Sequence, residues 1–354
     1  MIRIGYVPHS KNLLHPGDRR RLVSFANEKK MLLNTVNPLE SDILVLSNAA
    51  NFGYWMKKAK QPVILDLVDG YIGENPNIIK DILRNVVRSM HKTSDLRWLT
   101  YTRHLRYACK MSDAVIVASR EQQMEVSSLN KNVHIVLDSH QEIDEAVARR
   151  LNSNSIVHAS RPEANIFWEG FGFTLKHFGF ISRELDQFLA NSNWGMYLLT
   201  VEEFPRWGGY IGKVKTAKLI KKLFPLSWKS IQVIPWSLDN LATFAAKSKF
   251  GIIPINPSDK FARLKSENKL LSMWHLNLPV IFSDSPSYSR VAHEAGVESA
   301  VIGNGSWGEA LKHFSDSPSE LAELRDKGLD YVTRVHTKDI LTGDWEHVLR
   351  IFSD

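Results

Sequence analysis

The chain has 354 residues and a single cysteine, Cys109. An internal disulfide framework and a cysteine-rich zinc site are therefore excluded, and a reducing compartment is the expected setting. Long apolar runs are missing too: none approaches the roughly 20 residues that cross a bilayer. The opening MIRIGYVPHS reads as a first strand, without the apolar stretch behind a basic start that marks a signal peptide. The expectation is a cytoplasmic protein. There is no arginine-rich tail, zinc finger, RNA-binding aromatic motif, short-period repeat or low-complexity tract, which makes nucleic acid the most distant partner. An acidic surplus is also lacking. The net charge of +7 favours anionic partners without by itself choosing among nucleic acid, lipid head groups and nucleotide phosphates.

What is present is an ordinary globular composition, 44% hydrophobic and 23% charged, long enough for two cores. Short β-rich runs alternate with helical segments along almost the whole length, which predicts α/β architecture with parallel sheets covered by helices. Strands are predicted at 2–7, 31–36, 42–46, 62–67, 113–118 and 133–137, then at 165–168, 195–201, 231–235, 250–255, 279–283 and 300–302. The polar stretch RRLNSNSIVHASRPEAN, residues 149–165, reads as a linker. The expected division is an N-terminal Rossmann-like domain over 1–152, a second over 153–337 and a terminal helix over 338–354. Two such domains facing each other make a cleft, and open α/β sheets bind ligands at the C-terminal ends of their strands.

One segment carries its charge in an unexpected place. RLKSENKLLSMWHLNLPVIFSD, residues 263–284, predicts a helix with Ser266 as N-cap, followed by a buried strand. A helix start carries about half a positive charge. Here Lys260, Arg263, Lys265 and Lys269 crowd it, against Asp259 and Glu267. A phosphate held by the first-turn N–H groups, with Ser266 and Asn268 as short donors, would remove that repulsion. Side chains reaching into water are the plainer alternative.

Four further stretches are candidates. In QVIPWSLDN, Trp236 ends a strand where it can stack on a base or simply fill the core. EEFPRWGGYIGK brings Arg206 beside Gly208 and Gly209, either as an anion contact or as a surface turn. VILDLVDGYIGE puts Asp66 and Asp69 at a strand end, where a carboxylate could position or deprotonate a hydroxyl, or cap a turn. Asp69, followed by Gly70, is the better placed. In HPGDRRRLVSFANEK, Asp18 suits a helix cap, Gly17 lets the loop approach a ligand, and of Arg19 to Arg21 at most two can face one site. The basic, aromatic stretch over 83–110 reads as a packed, solvated helix pair or as a rest for an anionic membrane surface.

PINPSDKFARLKSENKLLSMWHLNLPVIFSDSPSYSRVAHEAGV resembles the donor-binding segment of GT-B glycosyltransferases, especially family four. Lys269, Leu270, Leu271, Pro279, Val280, Ser283 and Asp284 stand at that segment's matching positions, and KMSDAVIVASREQQMEV, residues 110–126, is similar to an N-terminal strand and helix start of the group. The resemblance implies a GT-B fold and transfer of a sugar from a nucleotide-sugar to a glycan or lipid-linked acceptor, with retention of configuration. It departs at Leu264 and Ser272, which replace two glutamates, the second of which holds the ribose.

The implied catalytic residues are Asp69, Lys265 and Arg206, and the implied donor contacts are Ser266, Asn268, Lys269, Ser272, Trp236 and Gly17. The two aspartates at 66 and 69 do not form the Asp-x-Asp metal signature, so no metal and no cofactor is expected. A nucleotide-sugar epimerase and a non-catalytic nucleotide- or carbohydrate-binding protein are the competing functions. Peripheral contact with the inner face of a membrane would suit a lipid-linked acceptor.

Overall fold

The computed structural model describes residues 2–68, 70–73, 78–92, 94, 100–152, 164–205, 212–259 and 264–352. Asp69 and Arg206 lie outside the described residues, as do Lys260 and Arg263. The chain divides into two compact units. The first comprises Met1–Ser139, Lys260–Ser266 and His336–Asp354; the second comprises His140–Asp259 and Glu267–Val335. Composition places the division within 149–165, whereas the helix Gln141–Asn152 counts with the second unit and the chain returns to the first from His336.

The first unit is built on six strands: β1 (Ile4–Val7), β2 (Leu33–Asn34), β3 (Ile43–Ser47), β4 (Val63–Leu67), β5 (Ala114–Val117) and β6 (Val133–Ile135). They pair in parallel in the order β2-β1-β3-β4-β5-β6. β3, β4 and β5 are buried along their whole length, as runs such as ILVLS and AVIV require when helices cover both faces. One face packs Phe52, Leu105 and Cys109 from the helices Phe52–Lys58 and Tyr101–Met111. Burial pushes the Cys109 thiol up to about 12, so it behaves as a small apolar side chain. The other face packs Leu22 and Phe25 together with Trp345, Val348 and Leu349 of the terminal helix Lys338–Arg350.

The second unit contains β7 (Ala164–Glu169), β8 (Trp194–Thr200), β9 (Glu203–Pro205), β10 (Lys213–Lys215), β11 (Ile231–Pro235), β12 (Phe250–Ile253), β13 (Val280–Ser283) and β14 (Val301–Ile302). Six of these form a parallel sheet in the order β11-β8-β7-β12-β13-β14, the Rossmann arrangement. β9 and β10 make a separate antiparallel hairpin that alternation of apolar residues does not announce. Strand order reverses between β1 and β3 in the first sheet and between β7 and β12 in the second. Those switch points are where open α/β sheets hold ligands, beyond the carboxyl ends of the strands.

Candidate active site

At the switch point of the second sheet, Lys269 answers part of the charge problem posed by the sequence. Its Nζ donates to the Glu169 carbonyl at the end of β7, 2.8 Å away, and lies 4.9 Å from the centre of the Trp168 ring. Gly170 makes room for this arrangement: a Cβ there would sit 2.9 Å from Lys269 Nζ, Thr174 Oγ1 and the Trp168 ring alike. The helix following the loop starts later than its sequence suggests. It spans Asn268–His275 with Glu267 at the cap position, and Ser266 makes no cap. Glu267 is buried and accepts from Arg290 at 3.0 Å. An acidic group does therefore stand at this helix start, inside the protein rather than in water.

The five residues KSENK are divided between the units. Lys265 and Ser266 count with the first, where neighbouring Leu264 packs on the apolar face containing Ile72 and Tyr101. Asn268, Lys269 and Ser272 belong to the second. Ser272 is buried, and its hydroxyl donates to the Asn268 carbonyl at 2.8 Å, a bond within its own helix. Trp236 follows β11 half-buried, with its backbone N–H given to the Thr200 carbonyl at 3.2 Å. That N–H is thus taken by β8 and is not offered to a base.

Buried side-chain oxygens without a hydrogen-bond partner among the described residues include Thr200 Oγ1 at the end of β8, Asn268 Oδ1 at the helix start, and Ser285 Oγ just after β13. An unsatisfied buried group of this kind costs about 1–3 kcal/mol, so water or a polar ligand is the expected partner. Ser283 Oγ accepts from the Ile255 N–H at 2.9 Å and shapes the loop after β12. In that loop the Asn256 N–H donates to His177 Nδ1 at 3.3 Å, and Asp259 accepts from Lys176 at 2.6 Å. Lys269, Asn268, Thr200 and Ser285 place one cation and short polar groups along the carboxyl edge of the sheet from β8 to β13, the edge at which an open α/β sheet holds its ligand. Such a set suits the oxygens of a diphosphate.

The first unit has a different site, built on the loop after β1. Asp18 is fully buried and accepts from the Tyr6 hydroxyl and the His9 N–H, both at 2.7 Å, and from the Ser10 N–H and hydroxyl at 3.0 and 2.9 Å. It staples that loop, whereas the cap of the helix Pro16–Arg19 is His15, whose Nδ1 accepts from the Gly17 N–H. The space over Gly17 is taken by the His9 imidazole, since a Cβ there would lie 2.7 Å from Nε2. Ligand approach at Gly17 is thus filled from within the loop. His9 stacks on His15 with ring centres 4.6 Å apart, and its Nε2 is buried without a partner among the described residues. Burial, reinforced by His15, lowers the His9 pKa to about 3, so the ring is neutral at physiological pH.

Of the three adjacent arginines, Arg21 turns inward. It bonds both oxygens of Asp66, reaches Asp138 at 3.0 Å and donates to the Val136 carbonyl at 2.7 Å. Burial alone would lower its pKa, but Asp66 and Asp138 outweigh that effect and keep it charged. Asp66 is therefore a core ion-pair member, not a carboxylate offered to an acceptor. The stacked His9–His15 pair and the Thr200–Ser285 hydroxyls have no sequence signature. The first pair is made by the fold of one loop, and the two hydroxyls stand at the ends of strands that are not neighbours, β8 and β13.

No protein-family model and no curated protein matches the chain. Solved structures do. HepE of Anabaena, in complex with UDP and glucose, superposes over 99% of this chain and 100% of its own with a TM-score of 0.61 at 11% identity. WaaG, a glycosyltransferase involved in lipopolysaccharide biosynthesis, matches over 99% and 98% with a TM-score of 0.54 at 10% identity. TarM, known from Staphylococcus aureus, matches 88% of this chain at a TM-score of 0.58 and 10% identity, and the match spans 55% of TarM. These likenesses, with the two parallel six-stranded sheets, show a GT-B fold.

Proposed function

We propose that the chain is a glycosyltransferase that takes its sugar from a nucleotide-sugar held at the β7–β12 switch point of the second unit and passes it to a glycan or lipid-linked acceptor. The observation that carries the reading is the strand-end set of Lys269, Asn268, Thr200 and Ser285, a cation with unpartnered buried oxygens where a Rossmann sheet binds phosphates. In the reaction the acceptor hydroxyl attacks the anomeric carbon, the bond to the diphosphate breaks, and the acceptor proton leaves with the diphosphate or to solvent. Charge builds on the leaving oxygens, and one well-aimed donor there is worth about 3 kcal/mol. Lys265 and Arg206 are the residues proposed to meet that charge, and Asp69 the one proposed to position the acceptor.

Retention of configuration rests on the resemblance to family four. Independence of metal rests on the missing Asp-x-Asp pair. HepE was solved with UDP-glucose, which makes a uridine diphosphate sugar the first donor to try. Incubation with UDP-sugars and glycan acceptors should release UDP at a rate that a chelator leaves unchanged. Lys265→Ala should abolish the release while the protein stays folded. Wild-type release in that variant would remove Lys265 from the mechanism, and loss on chelation restored by magnesium would end the metal-free reading.

A second reading is a nucleotide-binding protein without catalysis. Ser272 favours it, because the position expected to hold a ribose-binding glutamate carries a buried hydroxyl bonded to its own helix. Donor binding without nucleotide release under any acceptor would decide for it.

A further inference from the structure

The helix Thr216–Leu223 in the second unit carries positive charge where a helix tolerates it least. From Lys213 to Leu238 the chain has six lysines and no Asp, Glu or Arg. Lys218, Lys221 and Lys222 share one face, within about 100° of each other around the axis. All three are exposed, and so is Lys215 at the cap position, where the helix dipole disfavours a cation. Like charges three and four residues apart destabilise the helix further. Lys213 pairs with Glu203 across the β9–β10 hairpin, but Lys215, Lys218, Lys221 and Lys222 have no carboxylate partner among the described residues. The opposite side of the helix is apolar and meets the protein, with Ile220 buried and Leu219 and Leu223 half-buried. Just beyond the helix, Trp228 is 36% exposed, with Lys221 Nζ and Lys229 Nζ at 4.3 and 5.7 Å from its ring centre. The turn that presents this ring is fixed by Asp186, which accepts from the Leu226 and Ser227 N–H groups at 3.2 and 2.9 Å.

We infer that this face is a docking track for an anionic glycan, a chain of sugars bearing carboxylate or sulfate groups. The lysine row supplies counter-charges along such a chain, and the Trp228 ring offers a flat apolar surface to the C–H face of a sugar while the sugar's hydroxyls stay in water. Charge excludes a second copy of the same face, because the two would repel. A lipid surface takes up an apolar helix face, which here is turned inward. Nucleic acid favours the planar guanidinium of arginine, which the whole stretch lacks. The start of the helix is tied to the end of β8: Thr216 donates its N–H to the Glu202 carbonyl at 2.8 Å and its hydroxyl to the Val201 carbonyl at 2.6 Å. The track therefore begins at the carboxyl edge of the second sheet, and its occupant is the acceptor of the proposed transfer. That last assignment rests on the proposed function, whereas the binding of an anionic glycan rests on the lysines and Trp228 alone.

Fluorescence anisotropy of the full chain with labelled alginate and heparin oligosaccharides, in the absence of any donor, tests it. Wild-type protein should bind at least one of them, with neutral dextran failing to compete. Lys218→Gln with Lys222→Gln should weaken binding about fivefold and flatten its salt dependence. Lys57→Gln with Lys58→Gln, which removes the same charge from exposed positions of the first unit, should leave binding unchanged. Trp228→Ala should weaken binding without altering the salt dependence. UDP binding is measured alongside: lysine-dependent glycan binding supports the track whether or not UDP binds, so a failure of the donor site is read separately. No binding of either oligosaccharide, equal losses from the two lysine pairs, or tighter binding to single-stranded DNA or to anionic vesicles than to the oligosaccharides would each overturn the inference.

Discussion

Arg21 holds two buried carboxylates, and removing it would leave both uncompensated. Breaking such a network costs about 3–5 kcal/mol. Arg21→Met should lower the unfolding free energy by that amount in urea titration, and Asp66→Asn should do the same in kind. Unchanged stability in both would contradict the buried triad. The sign of the His9 effect follows from its depressed pKa. The folded chain keeps the ring neutral down to about 3, while the unfolded chain binds a proton below the ordinary 6.5. The contribution is therefore complete above about 6.5 and is lost as pH falls toward about 3. Urea titrations between pH 7 and 5 should show a shallower decline for His9→Gln than for the wild type. The sequence could not announce either site, because Asp18 and Asp66 look like caps until the strand ends place Tyr6 and Arg21 on them.

At the scale of elements, the helix Asn268–His275 was legible in type and nearly in extent, and its cap was not. Ser266 has the right chemistry for a cap, but the chain turns at Glu267, whose carboxylate is drawn inward by Arg290. Its packing is close: a Cβ on Gly328 of the helix Pro318–Val335 would come 2.5 Å from the Trp274 ring. Gly328→Ala should cost about 1–3 kcal/mol by overpacking, measured as a lower urea midpoint with unchanged slope. The hairpin β9–β10 and the helix Phe52–Lys58 escaped sequence reading because three-residue strands and a two-turn helix carry too few periods to register. The helix Ile78–Met90 overlaps the stretch that reads as a basic, aromatic helix pair, but which of its faces meets the protein is decided by Asn48, Tyr71, Tyr101 and Thr102, outside the helix.

For the whole molecule, the alternation of strand and helix was readable over most of the length because fully buried parallel strands are written as short apolar runs such as AVIV and FGII. Strand order was not, since nothing local says that β3 joins β1 on the side away from β2, or that β12 joins β7. The switch points that locate a ligand site follow from that order. The allegiance of the terminal helix was likewise set by packing, through Trp345 against Phe25.

The central claim is that the β7–β12 switch point holds a nucleoside diphosphate, and hydrogen–deuterium exchange of the full chain with and without UDP tests it most directly. The account predicts slower exchange on UDP binding at residues 169–174, 254–258 and 268–272, with Lys269→Ala reducing the effect. Protection confined to other segments, or none at saturating UDP, would contradict it.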